Sequence, residues 1–156
     1  VPINLIGTHL WEGQSILAIL APFLAVIILG LILIVRRERK NKLKKSLSFW
    51  LATIAGLCYL GGASIVLVQM VRVLRVTGPS AGVIITLIFA LIPILLGIWA
   101  LRIARSPSPQ SKKDRLSLGI IGLLGLLFWA GLIIGPVIAI IAALVPERYA
   151  SNQPYQ

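Results

Sequence analysis

The chain has 156 residues, 58% of them hydrophobic and only 12% charged, with 15 Lys and Arg against 4 Asp and Glu and a formal net charge of +11. Soluble domains carry about twice that charged fraction, and a soluble fold of this size has too little interior to hide so much apolar surface. A mean hydropathy of +1.00 also excludes disordered and collagen-like chains and leaves an integral membrane protein.

Crossing the hydrocarbon takes roughly 20 apolar residues in a helix. Four stretches qualify: 15–35 (SILAILAPFLAVIILGLILIV), 47–71, 82–101 and 117–145. None shows the period-two alternation of a membrane barrel strand, and in lipid only helices then satisfy the backbone. The expected fold is an all-α, four-helix transmembrane bundle forming a single domain over 1–156. In the first stretch the positive charges follow the apolar run, so it reads as a retained span and not a cleaved signal peptide. A chain starting at Val1 fits removal of an initiator Met or an earlier processing step. The fourth stretch, 29 residues long, would be about 43 Å as a straight helix, so it must tilt, kink or project; Pro136 is the expected kink, with milder ones at Pro22 and Pro93.

Basic residues fall in two blocks. Loop 36–46 holds Arg36, Arg37, Arg39, Lys40, Lys42, Lys44 and Lys45, and loop 102–116 holds Arg102, Arg105, Lys112, Lys113 and Arg115, twelve of the fifteen in all. The positive-inside rule puts both loops on the cytoplasmic (or stromal) side and, with four crossings, both termini outside. Arg36, Arg37, Arg39 and Lys40 are then contacts for anionic headgroups or an acidic partner. Neither loop interleaves aromatic residues with its charges, so no nucleic-acid partner is expected. At the outer end of the second span Gln69, Arg72 and Arg75 form an i, i+3, i+6 stripe suited to headgroups or to a partner protein.

Lipid gives no hydrophobic drive between helices, so packing relies on small residues. Gly131, Gly135, Ala139 and Ala143 recur every four residues and are the expected helix-packing interface. Shorter sets occur at Gly119, Gly122 and Gly125, at Ala52 and Gly56, and at Gly82, Thr86 and Ala90. Trp11, Trp50 and Trp99 fit interfacial belts. Tyr59 and Trp129 instead lie at membrane depth, each about 18 Å into its span, and each needs a partner for its polar tip. They are candidates for interhelical packing or for contact with a bound quinone, pigment or lipid.

No ionisable residue lies in the central part of any span, which argues against a proton-coupled transporter, an ion pump or a membrane hydrolase. With one His, one Cys and four acids, the usual catalytic inventory is nearly empty. His9, in GTHLWEGQ, is a weak metal candidate, and Cys58 alone makes neither a disulfide nor a zinc site. No enzyme is expected and no resident cofactor is identified; bound lipid is expected, with contact to a pigment or quinone as the alternative at Tyr59 and Trp129. The reading that follows is a non-catalytic accessory or assembly subunit of a larger bacterial plasma-membrane or thylakoid complex, photosynthetic or respiratory, with other membrane subunits as partners. An independent small oligomeric transporter, channel or membrane-shaping protein is the alternative.

Overall fold

A computed structural model describes residues 3–41, 47–105, 111–128 and 133–145, with side chains from Ile16 to Lys40 in the first segment. Every element among them is a helix: α1 (Ile3–Asn41), α2 (Leu47–Thr77), α3 (Ala81–Arg105), α4 (Lys112–Leu127) and α5 (Ile134–Leu144). Three of these are long and apolar enough to cross a membrane, over Ile16–Lys40, Leu47–Thr77 and Ala81–Arg105. The chain is therefore a helical membrane protein. Pro22 and Pro93 lie inside unbroken helices.

α2 is the central helix. α1, α3 and α5 all pack on it, while α1 and α3 barely meet each other. Its neighbours come close because small residues face them. An added Cβ on Gly56 of α2 would lie 3.0 Å from the Gly97 carbonyl of α3, and one on Gly97 would lie 3.0 Å from the Gly56 carbonyl. The backbones of α2 and α3 thus touch where neither residue has a side chain, the close approach that small residues permit in lipid. α1 meets α2 through Phe23 against Gly61 and Leu57 against Gly30. Elsewhere α1 presents bulky residues outward, with Leu17, Leu24, Leu29 and Leu33 all at least half exposed, as a lipid-facing helix should.

The expected fourth span, 117–145, is not one helix. α4 ends at Leu127, with Phe128 as its C-cap, and α5 begins anew after Ile133, whose backbone takes φ 68°. The two pack side by side in opposite directions. Arg115 in the first turn of α4 donates from Nε to the Ala143 carbonyl in the last turn of α5, at 3.0 Å. An added Cβ on Gly119 would sit 3.8 Å from the Ala143 Cβ, and one on Gly122 would sit 3.0 Å from the Pro136 carbonyl. Such a hairpin brings residue 145 back to the end of the bundle where residue 111 started. The expectation of a fourth crossing, with the chain leaving at the opposite end, is corrected accordingly.

Pro136 explains the break better than a kink would. In a continuous helix its ring would collide with the carbonyl four residues earlier and its nitrogen could donate no hydrogen bond. As the third residue of α5 it needs neither, because first-turn donors have no partner inside the helix. At the other end, Ser111 caps α4 by accepting from the Asp114 N–H at 3.1 Å, with Asp114 in the first turn favourably placed against the helix dipole. Sixteen residues of α4 make about 24 Å and eleven of α5 about 16 Å, both short of a hydrocarbon core of about 30 Å.

Among the described residues, five helices therefore share the end of the bundle that carries Arg36–Lys40, Arg105 and Lys112, and three extend to the other end.

Candidate functional site

Tyr59 is the node that fixes the hairpin. It is fully buried at 0% exposure, and its hydroxyl donates to the Ile121 carbonyl of α4 at 2.9 Å. The ring lies against Gly125, where any added side chain would run into the phenol. On the other side Gly135 of α5 faces α2, an added Cβ lying 3.2 Å from the Cys58 Cβ. Tyr59 and Cys58 on α2 thus receive the two arms of the hairpin, with the hydroxyl bonded to α4.

The four-spaced ridge of the last apolar stretch divides in this geometry. Gly135 faces α2 and Ala139 is fully buried in the core cluster with Ala52, Ala55 and Tyr59. Ala143 instead meets α4 at Gly119. Steps of four residues advance 400° around a helix, so the ridge drifts by 40° per step and moves from one neighbour to the next. Gly131 and Trp129 lie outside the described residues, as does the side chain of His9. Among the described residues no group of three or more His, Cys, Asp or Glu stands together.

The charged candidates lie where the helices project. Arg36, Arg37, Arg39 and Lys40 are exposed on a continuation of α1 beyond its apolar stretch. Arg72 and Arg75 are exposed on the last turns of α2, while Gln69 is half-buried. This stripe belongs to the three-helix end, far along α2 from the hairpin.

One cavity at the basic end has polar walls. It measures about 190 Å³ and is lined by Ile34, Arg37 and Glu38 of α1, Phe49 and Thr53 of α2, and Leu101, Ala104 and Arg105 of α3. It opens between α1 and α3, the two helices that share α2 as a floor without closing on each other. Glu38 is half-buried there, Thr53 is buried in the floor, and Phe49 stands edge-on to Trp50 with ring centroids 5.3 Å apart. Arg105, Glu38 and Thr53 did not emerge from the sequence as site residues. The signal was present: 34, 37 and 38 share a helix face once the helix continues past Val35, and so do the pairs 49 and 53, and 101 and 105.

No family model, no curated protein and no solved structure matches this chain.

Proposed function

We propose that the protein is a non-catalytic accessory or structural subunit of a larger membrane complex, in a bacterial plasma membrane or a thylakoid, acting through helix packing and lipid contacts. The carrying observation is how the interior is used. Small residues bring the helices together, and the hydroxyl of the buried Tyr59 ties α4 to α2. What is left outside is bulky apolar surface between charged ends, the form of a part that sits in lipid and meets partners at its rims. The hydrogen bond from Tyr59 to Ile121 favours the packing role of Tyr59 over contact with a quinone or pigment.

In the membrane, the basic end lies on the cytoplasmic or stromal side by the positive-inside rule. Three helices cross, and the α4–α5 hairpin enters from the basic side, turns near mid-depth and returns. Val145 then ends inside, with the start of α1 outside. Single cysteines tested in sealed right-side-out vesicles check this. Arg75→Cys is expected to react with an impermeant maleimide, and Lys40→Cys and Lys113→Cys only after permeabilisation. Labelling of Lys113→Cys from outside would overturn the placement.

Native purification in mild detergent with mass spectrometry tests the subunit reading. Co-migration with a larger hetero-complex is the expected result, and a homo-oligomer as the sole product would sink it. A membrane-shaping role is the second reading. It is favoured by the wedge of five helices at one end and three at the other, which puts more cross-section into one leaflet. Binding that rises with curvature across a vesicle size series would select it.

A further inference from the structure

We propose that the groove where α4 and α5 meet on the outer face of the hairpin seats one acidic glycerophospholipid, its phosphodiester between Lys112 and Arg115 and one acyl chain on the floor made by Gly119 and Ala143. This deepens the proposed contact with lipid and rests on the membrane placement above only for the depth of α4.

Helical periodicity builds the groove. Lys112, Arg115, Leu116, Gly119, Ile120 and Leu123 fall at i, i+3, i+4, i+7, i+8 and i+11, one face of α4. With Ala143 of α5 they line a groove of about 440 Å³, inside the roughly 300–1,000 Å³ of ligand sites. Small residues make its floor. Among the described residues, an added Cβ on Gly119 would meet only the Ala143 Cβ, at 3.8 Å, so the two helices leave a furrow there. The exposed Leu116, Ile120 and Leu123 stand beside it. From Leu116 to Leu123 this face descends about 10 Å, about a third of a hydrocarbon core of about 30 Å.

Charge complementarity names the occupant. The two cations stand where the groove begins, at the basic end, and the apolar wall follows them toward mid-membrane. Arg115 is held in place. Its Nε donates to the Ala143 carbonyl at 3.0 Å, one of the last-turn carbonyls that a helix leaves without an internal partner. Its two terminal nitrogens keep their donors for phosphate oxygens. Lys112 is exposed beside it. Among the described residues no carboxylate lines the groove, and Asp114 lies about 200° round the helix from Lys112. A choline or ethanolamine ammonium would therefore meet only like charge, whereas a headgroup of net negative charge is attracted. Basic pockets between helices on the cytoplasmic side of membrane proteins hold anionic headgroups in this way. An acidic soluble partner would satisfy the cations but not the apolar wall below them.

The test uses the full chain in phosphatidylcholine vesicles doped with phosphatidylglycerol that carries a diazirine in one acyl chain. After illumination, adducts are mapped by peptide mass spectrometry. Those on 116–123 are divided by those at matching depth on the exposed Leu24 and Leu29 of α1. This ratio is expected to stand well above the one given by a phosphatidylcholine with the same diazirine chain. Lys112→Gln should lower it about fivefold, the effect of one cation at a membrane surface. Lys113→Gln makes the same charge change one residue away and outside the groove, and should leave the ratio nearly as it was. Gly119→Leu fills the furrow and should bring the ratio to the phosphatidylcholine level, with helicity by circular dichroism unchanged. Equal ratios for the two lipids, or equal falls in the two lysine variants, overturn the assignment. So does a disulfide-linked dimer of Ile120→Cys, in a Cys58→Ala background, formed in place of the lipid adducts, which would make the groove a contact between copies. Both leaflets hold the probe, so the outcome does not depend on which way the chain faces. The maleimide labelling tests that separately, and failure of the lipid site is told apart from failure of the membrane placement.

Discussion

At the scale of single residues, Tyr59 and Gly125 act as a matched pair. The phenol fits under α4 because position 125 carries no side chain, and the hydroxyl then reaches the Ile121 carbonyl. Tyr59→Phe keeps the ring and loses only the hydrogen bond. Such bonds between membrane helices average about 0.6 kcal/mol and reach about 1.7, so a loss of roughly 1 kcal/mol is expected in a denaturant titration in micelles. Gly125→Leu should cost several-fold more, because a side chain and the phenol cannot share one space. Ile133 is a second lever. A β-branched residue at φ 68° is strained by about 1–2 kcal/mol against the right-handed alternative, so Ile133→Gly is expected to raise the unfolding midpoint although it removes side-chain surface. The sequence pointed to Tyr59, since an aromatic with a polar tip at membrane depth needs a partner, but the partner is a backbone carbonyl 62 positions away and no local pattern encodes that.

At the scale of elements, the first three helices were legible and the fourth was not. Long apolar runs bounded by charge leave a single solution in lipid, and spans at 15–35, 47–71 and 82–101 lie within α1, α2 and α3. The run 117–145 reads as a long span by the same criterion, because hydropathy sums residues without regard to chain direction. Pro136 and the glycines before it were visible, yet a kink and a reversal leave the same trace in composition. What decides for reversal is that both halves find partners: α4 on Tyr59, α5 on Cys58, and each on the other. A cysteine pair separates the two geometries. In a Cys58→Ala background, Gly119→Cys with Ala143→Cys should form a disulfide under mild oxidation. The 3.8 Å between an added Cβ at 119 and the Ala143 Cβ lies within the Cβ separation of real disulfides. In a straight helix the two positions would stand about 36 Å apart, and no intramolecular crosslink would appear on a non-reducing gel.

At the scale of the whole molecule, charge and thickness are distributed together. The basic segments gather where five helix ends meet, and the narrower end carries Arg72 and Arg75 on the projecting last turns of α2. If those two arginines dock a partner, Arg72→Glu with Arg75→Glu should release the protein from its complex on a native gel while leaving its helicity by circular dichroism unchanged. If they only reach headgroups, co-migration persists. Composition and charge alone determined that this is a helical membrane protein, where three of its helices lie and which residues flank them. Those properties depend on transfer from water to lipid, which acts residue by residue. Tertiary structure decided that the last apolar stretch folds back on itself, that Tyr59 is spent on holding it, and that Arg37, Glu38, Thr53 and Arg105 line one cavity. Each of those depends on which surfaces approach within a few ångströms, and that is a property of pairs of segments distant in the chain.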